Sequence, residues 1–172
     1  FRTHRVNMTG QVNGLTPAQA ELVQKTMPDA AVGQSRGANW WSFFMNNQKP
    51  PWNDVRVRRA VSLAIDRQQA IKIVDQGTGE VGLFMPSGQW AIPEASVLKM
   101  PGFGQPKDAD RAEAKKLLTE AGYPDGFKTT IMVRAGTYYE TGAVFMRDQL
   151  AAIGIQATVD VQEHVTMQDR MR

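Results

Sequence analysis

The sequence predicts an α/β fold, with helices packed on a mixed, largely parallel sheet, and two observations predict it. Residues 127–161 read as strand, helix, strand with short joints, the succession that makes a crossover between parallel neighbours. Upstream, Val57, Ala60, Val61, Ala64 and Ile65 recur at the spacing of one buried helical face.

Each element has its own local signals. Thr16 is a hydroxyl N-cap, Pro17 takes the first helical position and Gln19 the third, so a helix is expected to run to about Met27, where Pro28-Asp29 breaks it. Residues 30–34 read as extended. Trp40 to Met45 is an aromatic run that reads as a well-buried strand, ended by Pro50-Pro51. Asn53 or Asp54 caps the helix that carries the apolar stripe, and Arg56, Arg58, Arg59 and Arg67 lie mostly off that stripe. A third helix is expected over Gln68 to Gln76, stopped by Gly77.

Residues 77–107 are rich in Gly and Pro and lack periodicity, which predicts a structureless connection that wraps a surface or frames a site. Asp108 is expected to cap a helix with Ala114, Leu117, Leu118 and Ala121 on one face and Gly122 as its left-handed end. Tyr123-Pro124-Asp125-Gly126 is a turn, and a strand follows over 127–134. The next helix, 138–153, carries Tyr139, Ala143, Met146, Leu150 and Ile153 on one side, and Gly154 stops it before a strand over 155–161. Val165 to Arg170 opens another helix.

Composition narrows the function classes. The 172 residues suit one domain or a large subdomain. Twenty Lys+Arg against 17 Asp+Glu leave +3, too small and too dispersed an excess to indicate nucleic acid. The absence of cysteine excludes disulfides and thiolate metal sites. With no initiator Met at the start and a helix beginning at the end, both ends read as cuts in a longer chain.

Several motifs invite a chemical reading. Gly33-Gln34-Ser35-Arg36-Gly37 matches a nucleophile elbow, so a serine hydrolase using Ser35, with His164 as base, is one alternative. An aromatic run follows it where that motif needs a helix. Gly77-Thr78-Gly79-Glu80-Val81-Gly82 matches a dinucleotide fingerprint, but a helix enters it where a strand is required, so no cofactor is expected. His4 and His164 are far apart, and no metal site is expected. Arg56, Arg58 and Arg59 could form a phosphate-contacting face, the second alternative; Asp54 and Asp66 bracket the same helix, and no nucleic-acid partner is expected. Asp66, Asp75, Glu113 and Glu120 are assigned to capping and solvation.

Met45-Asn46-Asn47-Gln48-Lys49-Pro50-Pro51-Trp52-Asn53-Asp54-Val55-Arg56-Val57-Arg58-Arg59-Ala60, continuing to Ala64-Ile65-Asp66-Arg67, resembles a segment shared by the family 5 extracellular solute-binding proteins. Ala114 to Leu118 with Glu120 to Phe127, and Leu150 to Ile155, resemble two further segments of that family, in its order and spacing. The resemblance implies a type II periplasmic-binding-protein lobe, with residues 1–46 as lead-in and lobe-crossing strands and 47–172 as part of the second lobe of a two-lobed clamp. It implies a binder and no enzyme, outside the cytoplasm, that delivers a solute, foremost a peptide, to the membrane permease subunits of an ABC importer. Opine, sugar and metal-chelate solutes stay open. In the resembling proteins, side chains alternating before the Asn-Asn pair and the loop that opens the helix before Ile153 approach the ligand. Alternation puts Trp40, Ser42 and Phe44 on one face and Trp41, Phe43 and Met45 on the other. The first set is expected to face solute, with Tyr138 and Tyr139 as further candidates. Apolar surface that the rest of such a clamp would cover is expected to drive self-association.

Overall fold

The computed structural model describes residues 15–33, 40–83, 85 and 88–171. Its elements are α1 (Pro17–Thr26), α2 (Val55–Ala64), α3 (Arg67–Ile73), α4 (Glu94–Val97), α5 (Asp108–Glu120), β1 (Lys128–Arg134), α6 (Thr137–Ala151), β2 (Gln156–Gln162) and α7 (His164–Met171). They divide between two compact units, residues 1–37, which hold α1, and residues 38–172, which hold the rest.

In the first unit, Thr16 and Gln19 form the expected reciprocal capping box. The Gln19 amide donates to Thr16 Oγ1 at 3.2 Å, and the Thr16 amide donates to Gln19 Oε1 at 2.9 Å. Ser35 and His4 lie outside the described residues.

In the second unit, Asp54 caps α2 by accepting from the Arg56 amide at 2.8 Å. Hydrogen bonds from the Arg56 side chain hold the Asp54 carboxyl below its ordinary range. α2 buries Val57, Ala60, Val61 and Ala64 against Ala114 and Leu118 of α5, and Met146 and Leu150 of α6 complete the core with Ile153 and Ile155. β1 and β2 pair in parallel from Lys128↔Gln156 to Arg134↔Gln162, with α6 as the crossover. Ile131 and Ala157 pack on the core, so strand alternation puts Thr130 and Thr158 on the opposite face.

The joints at the amino ends of both strands need glycine. Gly122 (φ +91°), Gly126 (φ +73°) and Gly154 (φ +93°) are left-handed, and a Cβ on Gly126 would collide with the Gly154 carbonyl. A buried amide ties the helices together: Gln149 is 6% exposed, accepts from the Asp66 amide (3.0 Å) and Arg111 (3.2 Å), and donates to Gln69 (3.2 Å).

Four expectations change. Residues 40–45 form no strand, because they have no ladder partner among the described residues, and the run is not well buried. α3 ends at Ile73, three residues short of Gln76. Asp108 is the first helical residue of α5 and the cap position is Lys107; the buried ammonium of Lys107 pairs with Asp110 and the Gly102 carbonyl. The stretch 77–107 is not wholly irregular, since it holds α4, and Arg67 pins its end by donating to the Gly102 carbonyl at 2.6 Å while covering the Phe103 ring at 4.0 Å.

The arginines are mostly committed within the protein. Arg56 donates to Asp54 and the Glu120 carbonyl, Arg58 to the Trp52 carbonyl, and Arg67 to the Ser62 and Gly102 carbonyls. Arg59, the third of the expected phosphate-contacting trio, is exposed. Guanidinium groups tied to carbonyl oxygens and to Asp54 are held as internal braces, and nothing in their arrangement favours a phosphate-binding row.

Candidate functional site

The carboxyl end of β1 runs through Ala135 and Gly136 into α6, and in α/β sheets this end of a strand is where ligands are bound. Gly136 (φ +134°) makes the turn, and its amide donates to Glu140 Oε1 at 2.9 Å. Tyr138 and Tyr139 therefore leave the first turn of α6 beside the sheet. Their rings meet edge to face at 5.6 Å, and the Arg134 guanidinium covers Tyr139 at 4.2 Å.

Residues 40–45 run against this turn. Their burial alternates: Trp41, Phe43 and Met45 are half-buried, while Trp40 (55%), Ser42 and Phe44 (94%) are exposed. The period of two confirms the separation of the run into two rows, with Trp40, Ser42 and Phe44 on the outward one. The inward row makes the joint. Trp41 lies 4.7 Å from the Tyr138 ring, 6.2 Å from Tyr139 and 6.5 Å from Phe43.

Asp75, just past α3, closes the cluster. Its Oδ1 accepts from Trp41 Nε1 at 3.3 Å and from the Tyr138 hydroxyl at 3.1 Å. Burial, and next the charge of Asp75, push the Tyr138 phenol up to about 12, so it remains a donor across the neutral range. Capping and solvation were expected to account for Asp75; two donors from distant parts of the chain correct that reading. Neither Asp75 nor Trp41 was among the expected site residues. Gly142 was the available signal, an isolated glycine inside a helical pattern, which marks close approach. A Cβ there would stand 2.5 Å from the Trp41 ring.

No helix opens within the Gly77–Gly82 stretch. Gly77 (φ +83°) lies in the turn after α3, its amide donating to the Ile71 carbonyl at 2.9 Å, and Gly79 faces the Asp75 carboxylate. His164 shares a 3.2 Å hydrogen bond with Gln168 on exposed α7. Among the described residues no group of His, Cys, Asp and Glu could hold a metal ion, and no helix is long and apolar enough to cross a membrane. A shallow concavity of about 410 Å³, lined by Asp66, Gln68, Gln69, Lys72 and Gln105, lies around the opposite end of α3 from the aromatic cluster.

What this arrangement can do chemically is bind. Outward aromatic and hydroxyl side chains offer stacking surface and hydrogen bonds, with no nucleophile and base paired among them.

Comparison with known proteins bears on this surface. Residues 3–172 match the family model described as bacterial extracellular solute-binding proteins, family 5 Middle. The periplasmic oligopeptide-binding protein OppA of Haemophilus influenzae is 34% identical over 125 residues, 72% of this chain and 22% of that protein. Heme-binding protein A of the same organism is 32% identical over 122 residues, 70% of this chain and 21% of that protein. The crystal structure of Haemophilus influenzae OppA in complex with RPPGFSPFR superposes with a TM-score of 0.69 at 27% identity, over 91% of this chain and 31% of that one. The chain thus spans about a fifth of the length of these curated relatives. The neighbours have the type II periplasmic-binding-protein fold expected from sequence.

Proposed function

Because the chain belongs to the bacterial extracellular solute-binding proteins of family 5, we propose that it supplies part of the solute-binding surface of an importer's receptor outside the cytoplasm, with a peptide as the solute. Residues 1–46 lead into and cross between lobes, and 47–172 form part of the second lobe. The permease subunits of an ABC importer receive the solute. The chain binds and does not catalyse.

One observation carries this reading: the exposed row Trp40, Ser42 and Phe44 belongs to a segment whose inward Trp41 packs on Tyr138 at the carboxyl end of β1. Such a surface gives stacking area at low entropic cost, and Ser42 gives a hydroxyl to match a peptide polar group. Phe44, without charge, disfavours a charged solute group at its position. The oligopeptide-binding relatives support a peptide over heme, for which the described surface offers no axial histidine; His164 stands on α7.

Native mass spectrometry of the complete gene product, purified gently from its host, is the test. A retained mass that fragments as a peptide is expected. A retained non-peptide solute would replace the peptide assignment, and a protein that retains nothing and takes up none of a tripeptide mixture would end the reading.

A further inference from the structure

We infer that Asp75 is a positioning residue for the outward row, holding Trp41 and Tyr138 in one arrangement so that Trp40, Ser42 and Phe44 are presented to solute. The inference rests on reading that row as solute-facing, and it concerns what fixes the row in place. Among the described residues this segment has no ladder partner, so within this chain its side-chain contacts are what fix it.

Trp41 is held at two points. Its Nε1–H donates to Asp75 Oδ1, and its six-membered ring lies against the α6 backbone at Gly142, where a Cβ would be 2.5 Å from both Cη2 and Cζ3. Two fixed points on one rigid ring set the rotation of residue 41 about the segment axis. Alternation then turns its neighbours Trp40 and Ser42 outward. The same Asp75 oxygen accepts from the Tyr138 hydroxyl, so one acceptor joins residues 34 and 63 positions away from it in sequence. The second oxygen also has its place: a Cβ on Gly79 would lie 2.6 Å from Oδ2, so glycine leaves the carboxylate room. With Oδ1 engaged by two internal donors, Asp75 acts through Trp41 and Tyr138, and the solute touches their neighbours.

The test compares Asp75→Ala with Asp75→Asn in the complete gene product, because the amide keeps an acceptor oxygen and loses the charge. The probes are trialanine and tetra-alanine by calorimetry, thermal midpoints by circular dichroism, and tyrosinate absorbance against pH. Losing an acceptor shared by two donors should weaken peptide binding ~tenfold or more in Asp75→Ala, while Asp75→Asn should stay within ~threefold of the parent. In Asp75→Ala the tyrosine that titrates at about 12 should move toward the ordinary value. Parental affinity in Asp75→Ala, or an equal loss in both variants that follows their thermal midpoints, overturns the inference. If the parent binds neither peptide, it is the solute reading that fails. Near-ultraviolet circular dichroism then decides the positioning claim alone: an aromatic signal unchanged in Asp75→Ala rejects it, and one changed in Asp75→Ala but parental in Asp75→Asn upholds it.

Discussion

Gly142 stands where a helix would ordinarily gain from alanine. In an uncrowded helix interior Gly→Ala stabilises by about 1 kcal/mol. Here the added methyl would meet the Trp41 ring at 2.5 Å, so either α6 shifts or the indole leaves its seat. Overpacking of this kind costs ~1–3 kcal/mol, and the sign of the substitution reverses. We expect Gly142→Ala to lower stability in urea titrations, and to become neutral or stabilising in a Trp41→Ala background. A stabilising Gly142→Ala in the parent chain would show that the contact is slack. Tyr138 gives a second prediction at this scale. Its phenol titrates higher in the folded chain, at about 12, than the ordinary value of about 10. The contribution of that group is therefore fully present below about pH 10 and fades as pH rises through 12. Comparison of urea midpoints with Tyr138→Phe should show the two chains converging over that alkaline window and running parallel at neutral pH. These roles were poorly legible in sequence. Asp75 is an ordinary carboxylate past a helix end, and only the fold brings Trp41 and Tyr138 to it. The strand-to-helix joint that carries Tyr138 and Tyr139 was legible because it is a local pattern, while their candidacy for solute came from the family resemblance.

At the scale of elements, α2 and α5 meet through fully buried side chains. Leu118 is 1% exposed and packs with Val57, Ala60 and Val61 in the core. Leu118→Ala removes buried methyl groups from a site flanked by two helices, which collapse only in part, and a loss of ~2–5 kcal/mol is expected by chemical denaturation. The strand entrances are equally exacting. Gly126→Ala would drive a methyl into the Gly154 carbonyl at a left-handed position, so it should destabilise by more than the ~1 kcal/mol typical of a strained residue. Native-state hydrogen exchange should show lost protection in β1 and β2 ahead of α2; uniform loss would mean that the joint is not local. Helices α1, α2, α5 and α6 and both strands were legible because caps, stripes and glycine stops act within a few residues. Residues 40–45 misled because an aromatic run has the composition of a strand, yet a strand exists only through a partner, and pairing is not written in the run itself. Its period of two was still there to be read, and it separated the outward from the inward residues correctly.

For the whole molecule, the outward row has a consequence that does not depend on which solute it meets. Trp40 and Phe44 share one face of one segment, and Trp90 (79% exposed) and Val165 (69%) add apolar surface elsewhere. Single exposed hydrophobes have little effect, whereas neighbouring aromatics on a face form a patch that water disfavours. In the relatives the matched part is about a fifth of the protein, so their corresponding surface has far more chain available to cover it. The 172-residue chain by itself should therefore associate as its concentration rises, with a sedimentation coefficient that climbs over the micromolar range. Net charge of +3 is too small to oppose contact, and because the driving surface is apolar the association should strengthen with sulfate. Phe44→Ser should shift the onset to higher concentration, since it removes the most exposed ring among the described residues without touching the inward row that holds the segment. A chain that sediments as a monomer throughout, in sulfate as well, would mean that the patch is shielded in solution, and the exposure of Phe44 would then have to be abandoned as a basis for solute contact.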